Sequence, residues 1–254
     1  MKTMRTLLTS LLCVFTLSLT AQVDCQGPDF NNDSIIGAAD IIVFLSYYGN
    51  EWPLAPEFVC GETIAHQDYA YSTVQIGEQC WFSENCRYLP EVSPSNEGSE
   101  TEPYYYVYDY EGSTVSEAKS TEYYATYGVL YNWPAVMTEG ICPSGWHIPS
   151  DGEFTELSDF LGGEGVAGGK MKEAGYDHWN SPNTGATNSS GWTGLPGGYR
   201  YSGGFFNNGN FGFWWSASDS GSYSWIRYLY NIYGNVDRNP NVRYDGFSAR
   251  CVRD

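Results

Sequence analysis

The chain has 254 residues, with 30 Asp plus Glu against 12 Lys plus Arg, a formal net charge of −18 and a pI near 4.3. So acidic a chain repels nucleic acid and anionic membrane surfaces, leaving calcium, sugars or other proteins as partners. Apolar residues make up 42% and aromatics 17%, enough to bury a core, while 29 Gly and 22 Tyr point to strands and turns rather than a helical bundle.

Lys2 and Arg5 precede an apolar run from Leu7 to Leu19, and Thr20-Ala21-Gln22 offers a small-residue cleavage point. This reads as a secretory signal peptide over residues 1–21, too short for the roughly 20 apolar residues of a membrane span. The mature protein is expected to be secreted or to lie at the extracellular surface. Cys13 leaves with the signal, so Cys25, Cys60, Cys80, Cys86, Cys142 and Cys251 remain. An even number in an oxidising compartment favours disulfides, and no CxxC pair accompanies the scattered His66, His147 and His178. Pairing by segment gives Cys25–Cys60, Cys80–Cys86 and Cys142–Cys251, with no thiol left free.

The segment 22–62 is read as a loop-and-helix unit. Asp29, Asn31, Asp33 and Asp40 stand at positions 1, 3, 5 and 12 of an EF-hand-type loop, with the Ile35 carbonyl at position 7. Ca²⁺ takes six to eight oxygen ligands, and a tight loop turns alternate residues inward. Position 6 is Ser34 rather than Gly, and position 12 is Asp rather than Glu. Ile41, Leu45 and Tyr48 then form a helical apolar stripe that Gly49 stops. The Asp at position 12 with the following Ile-Ile-x-Phe-Leu resembles one repeat of a dockerin module. A dockerin carries two, and no second is visible, so the sequence argues against a cohesin partner even with calcium bound.

Residues 63–254 form the main domain. Two short strands are expected around Gly77-Glu78, then an acidic loop from Ser93 to Glu102 and a β-prone YYYVYDY segment at 104–110. Ser150-Asp151-Gly152-Glu153 is a capping box opening a helix with Phe154, Leu157 and Leu161 on one face, ended by Gly162-Gly163. Val166 to Ala174 reads as a weaker helix, because Gly168 and Gly169 each cost about 1 kcal/mol relative to Ala. Strands are expected near Trp214–Ser218, Tyr223–Ile232 and Phe247–Val252.

The segments IGEQCWFSENCRYLP (76–90), YGVLYNWPAV (127–136), CPSGWHIPSDGEFTEL (142–157), GLPGGYR (194–200), FWWSAS (213–218) and GFSARCVRD (246–254) occur in this order. They resemble the Fibrobacter succinogenes major paralogous domain family. The resemblance implies a C-type-lectin-like α+β domain with short strands, one or two helices, long loops and neighbouring chain ends. It also supports the Cys142–Cys251 pairing, since in that fold a cysteine near the main helix commonly meets one in the last strand. The sugar site of calcium-dependent lectins does not carry over, because Trp179-Asn180-Ser181-Pro182-Asn183 lacks the carboxylate.

Enzymatic signals are thin. Asp151 and Glu153 suit the first turn of a helix, and no GxSxG, HExxH or phosphate loop is present. The stretch Gly197–Asp245 instead mixes many aromatics with Gly, Ser and Asn, the composition of a low-entropy contact surface. Tyr199, Arg200, Tyr201, Phe205 and Phe206 are its candidate ligand-binding residues. The sequence is therefore read as an exported, noncatalytic binding or adhesion protein for a polysaccharide or cell-surface partner. The alternative is an extracellular enzyme acting on glycans or proteins, or a structural surface component.

Overall fold

The computed structural model describes residues 37–39, 41–42 and 58–253. The chain divides into two units, Met1–Glu57 and Phe58–Asp254. In the first, Ala38, Ala39, Ile41 and Ile42 are helical, and the Ile41 N–H donates to the Gly37 carbonyl at 3.5 Å. The expected signal peptide, Cys25 and the calcium ligands Asp29, Asn31, Asp33, Ile35 and Asp40 lie outside the described residues.

The second unit is built on two three-stranded antiparallel sheets. After a small hairpin of β1 (Ile64–His66) and β2 (Tyr69–Tyr71), the strands β3 (Thr73–Ile76) and β4 (Gln79–Phe82) turn at Gly77, which has a positive φ of 63°. The last strand, β12 (Val252–Arg253), closes the first sheet in the order β12-β4-β3. The second sheet has the order β11-β10-β9, from β9 (Phe211–Ser220), β10 (Tyr223–Tyr230) and β11 (Asp237–Val242).

Side chains alternate across a strand, and here the alternation serves two cores. Cys80, Phe82, Trp215, Ile226 and Cys251 enter one cluster with Tyr71, Tyr131, Trp146 and Phe247. Their strand neighbours Trp81, Trp214, Leu229 and Val252 enter another with Phe154, Leu157, Met171 and Trp192. Strand β4 and the middle of β9 are thus buried on both sides, which is why they read as aromatic runs.

Helix α4 (Asp151–Phe160) forms where the capping box predicts, with Ser150 Oγ accepting from the Glu153 N–H and the Glu153 carboxylate accepting from the Ser150 N–H. Phe154, Leu157 and Leu161 are all buried. Helix α5 (Glu164–Met171) follows directly. Short helices α1 (Val115–Lys119), α2 (Glu122–Tyr127) and α3 (Trp133–Val136) occupy the middle of the chain, more helix than the sequence predicts. The YYYVYDY segment supplies only β5 (Tyr105–Tyr106), paired with β6 (Leu130–Tyr131). The fold is α+β, of small antiparallel sheets and few helices.

Buried cations replace some of the expected apolar filling. Arg250 is fully enclosed, hydrogen-bonded to Asn85 and to the carbonyls of Trp192 and Thr193, with its guanidinium 3.8 Å from the Trp192 ring centre. A planar cation between an indole face and carbonyl oxygens recovers part of what it loses on leaving water.

The cysteines pair differently from the expectation. Cys142 joins Cys251, but Cys80 joins Cys60, and Cys86 is a buried free thiol. Cys80 sits within β4, whose extended backbone rises about 3.3 Å per residue and carries Cys86 onward to the last strand. The Gly61 N–H donates to Thr73 Oγ1 on β3, the strand paired with β4, and the Cα atoms of Cys60 and Cys80 are 5.8 Å apart.

Candidate functional site

On one face of the second sheet, Phe211 stands opposite Tyr230, and Phe213 opposite Tyr228, which in turn faces Asp237 on β11. Phe211 and Tyr230 stack with ring centres 3.9 Å apart and 9° between planes. The rings continue in both directions. Tyr230 meets Tyr233 at 5.6 Å; Phe211 meets Phe213 at 5.5 Å, Phe213 meets Tyr199 at 5.2 Å, and Tyr199 meets Phe206 at 5.8 Å. The result is a continuous aromatic strip, Phe206–Tyr199–Phe213–Phe211–Tyr230–Tyr233. Trp215 and Ile226, on the same sheet face, sink into the core beside Phe247, whereas Phe211 and Tyr230 remain part-exposed.

A cleft of about 490 Å³ opens along one end of the strip, lined by Phe211, Tyr228, Tyr230, Tyr233, Asn235 and Asp237. Burial raises the Asp237 carboxyl above its ordinary value and Glu164 adds to the rise, while the Asn235 side chain opposes it by hydrogen bonding. Asn239 donates to the Tyr228 hydroxyl at 3.3 Å. The cleft therefore offers flat apolar faces with carboxylate and amide groups along its edge.

The loop forming the far wall is fastened from beneath by α5 and the residue after it. Gly169 N–H donates to the Gly234 carbonyl at 2.7 Å, and Val236 N–H donates to the Glu164 carbonyl at 2.9 Å. Lys172, fully buried, gives its ammonium protons to the carbonyls of Thr184 (2.9 Å), Tyr230 (3.1 Å) and Tyr233 (2.7 Å). Burial pulls its pKa down to about 8. It ties Tyr230 and Tyr233, the last two aromatics at one end of the strip, to the body of the domain.

The glycine pair in α5 now has a physical reason. A Cβ at Gly168 would stand 2.0 Å from the Asn235 carbonyl oxygen, and one at Gly169 would stand 2.4 Å from that of Gly185. Ala at 168 improves helix propensity by about 1 kcal/mol, yet the facing atom is backbone. Gly168→Ala is expected to destabilise by about 1–3 kcal/mol through overpacking and to displace the cleft wall, read as a lower denaturant midpoint. An unchanged or raised midpoint would mean that the loop gives way freely.

The hairpin of β7 (Tyr199–Tyr201) and β8 (Gly204–Phe206) contributes to the strip only in part. Tyr199 and Phe206 belong to it. Phe205 points elsewhere, 5.2 Å from the Tyr108 ring, and Tyr201 is exposed near the hairpin turn. Arg200 does not serve as a surface contact. It is 3% exposed and donates to the carbonyls of Ser95 (2.7 Å), Glu97 (2.6 Å) and Tyr244 (2.8 Å) beneath the hairpin. Strand parity explains this, since Arg200 faces inward between Tyr199 and Tyr201. Phe211, Tyr228 and Tyr230 stood within the aromatic stretch; Lys172, Tyr233, Asn235 and Asp237 were not singled out.

Asp151 and Glu153, the carboxylates weighed in the sequence for acid and base roles, are engaged by other side chains. Asp151 accepts hydrogen bonds from Arg227 (2.7 Å) and Arg238 (2.8 Å), and Glu153 holds the cap and His147 (2.5 Å). Among the described residues, no group of three or more His, Cys, Asp or Glu is placed to hold a metal ion.

Residues 74–253 match the family described as the Fibrobacter succinogenes major domain. The chain belongs to that family. The match covers both sheets, α4, α5 and the whole strip, so the candidate site is built within the Fibrobacter succinogenes major domain. No curated protein and no solved structure matches the chain.

Proposed function

We propose that this Fibrobacter succinogenes major domain protein is an exported, noncatalytic binding protein whose aromatic strip holds a neutral polysaccharide, free or on a cell surface. The strip itself carries the reading. A run of part-exposed rings with successive centres 3.9–5.8 Å apart, some stacked on one another and some edge-on, gives an extended apolar surface on which the apolar faces of a sugar chain can pack. Asn235, Asp237 and Asn239 are placed to meet hydroxyl groups along the edge. The basic groups near the strip are committed elsewhere, Lys172 and Arg200 to buried carbonyls and Arg227 and Arg238 to Asp151 on the opposite sheet face, so acidic sugars gain no free counter-charge from them.

In the finer reading, the domain is C-type-lectin-like. The segment 22–62 is a dockerin-like unit that takes Ca²⁺ on Asp29, Asn31, Asp33, Asp40 and the Ile35 carbonyl. The test is a glycan-array screen of the purified mature protein with and without calcium, followed by Phe211→Ala and Tyr230→Ala. Each substitution removes one stacking face worth about 1 kcal/mol, or roughly fivefold to tenfold in affinity. Folded variants that bind as tightly as the parent would place the site elsewhere. Strip binding is expected without calcium. Release of shorter sugars by the pure protein would favour the enzyme reading, with Asp237 and its neighbour Glu164 as the carboxyl groups to replace.

A further inference from the structure

The sulfurs of Cys86 and Cys251 meet where the chain leaving β4 runs beside the approach to β12, and Cys142 is bonded to Cys251 there. The Cys86 N–H donates to the Ala249 carbonyl at 2.9 Å and the Phe82 N–H to the Cys251 carbonyl at 3.0 Å, lacing the two segments together. Cys86 and Cys251 are both fully enclosed, and their sulfurs lie 3.5 Å apart, in van der Waals contact. Cys251 is bonded to Cys142, which is only partly buried.

We propose that Cys86 exchanges with the Cys142–Cys251 bridge, moving it to Cys86–Cys251 and releasing Cys142 as a reactive thiol at the surface. The Cys86 thiol first loses its proton, and the thiolate attacks Cys251 Sγ. The Cys86–Cys251 bond forms as the Cys251–Cys142 bond breaks, and the Cys142 thiolate leaves and takes up a proton. One disulfide and one thiol stand on each side, so the step needs no oxidant or reductant.

Two features make the second pairing accessible. A sulfur–sulfur contact of 3.5 Å must shorten to the bonded 2.05 Å or so, a shift on the scale of side-chain rotation between two segments already laced by the Cys86–Ala249 and Phe82–Cys251 backbone hydrogen bonds. The sequence separations, 109 for the present bridge and 165 for the alternative, enter the closure entropy only as logarithms, so the two pairings constrain the unfolded chain nearly equally. The enclosure sets the pace. Burial pushes the Cys86 thiol up to about 12 despite the nearby Arg250, so its thiolate is scarce at neutral pH and exchange is slow there.

The consequence is a modification site absent from the present bonding pattern. Cys142, in the loop leading to α4, is the one of the three that is not fully buried, so the released thiol is the most open to reagents, whereas Cys86 stays enclosed in either isomer.

The experiment uses the unreduced mature chain in excess iodoacetamide at about pH 7 and about pH 9, digested without reduction and mapped by mass spectrometry. The expected result is alkylated Cys142 together with a Cys86–Cys251 linked peptide. The trapping rate should rise about a hundredfold between the two pH values, following the thiolate fraction of Cys86. Cys86→Ala should abolish Cys142 labelling in the native protein. The proposal is overturned if Cys142 stays linked to Cys251 at both pH values, or if folded Cys86→Ala protein labels at Cys142 as fast as the parent. Should that variant fail to fold, the linked peptides of the parent decide the matter.

Discussion

Replacing both Cys142 and Cys251 by Ser is expected to lower the unfolding free energy by about 5 kcal/mol, the chain-entropy value for a closed loop of this length. The bridge spans a sequence separation of 109 and ties the loop before α4 to the last strand. For a domain of this size the loss corresponds to a fall in melting temperature of roughly 10–20 °C. In the presence of an oxidant such as oxidised glutathione, Cys142→Ser alone should cost less, because the Cys86 and Cys251 thiols, 3.5 Å apart, can be oxidised to a replacement bridge. Denaturant titration of the double and single variants measures both effects. A double variant within about 1 kcal/mol of the parent would mean that the bridge adds little to a core already specified by packing.

Trp214→Ala is expected to cost about 3–5 kcal/mol. Trp214 is fully buried, packs edge-on to Trp192 at 4.8 Å and donates its indole N–H to Asn85 Oδ1 at 2.9 Å. The substitution opens a cavity in the second core and removes a partner of Asn85, which also holds Arg250. Phe206→Ala, one residue type and one hairpin away, should change stability little, since its ring is 43% exposed, and should act on binding instead. Equal stability losses for the two would contradict the division into buried and solvent-facing aromatics.

The parts of this fold legible in the sequence were those governed by neighbouring residues. The capping box at Ser150 and Glu153 and the turn at Gly77 depend on a few adjacent side chains, and both are present. The cysteine pairing at Cys80 was not legible, because it depends on where the segment before β1 returns, and Cys60 approaches β4 only in three dimensions. The same limit applies to the site. The aromatic wealth between Gly197 and Asp245 was plain, but strand parity decides which rings emerge. Parity places Arg200 inward and aligns Phe211 with Tyr230 across two strands. Lys172 carried no local signal at all: its partners Thr184, Tyr230 and Tyr233 lie 12, 58 and 61 residues away.

Arg253, at the end of β12, lies over the Phe58 ring at 5.4 Å, so the first and last described residues of the domain meet. A pull applied through both ends therefore does not draw on the strip or the second sheet at first. It loads the short β4–β12 pairing of Trp81 with Val252 and Cys80 with Arg253, and each strand there is riveted, Cys80 to Cys60 and Cys251 to Cys142. Force has to pass through covalent bonds before it can peel the domain open. Tension entering at the two ends of the domain therefore meets the Cys60–Cys80 and Cys142–Cys251 bonds before it reaches the aromatic strip.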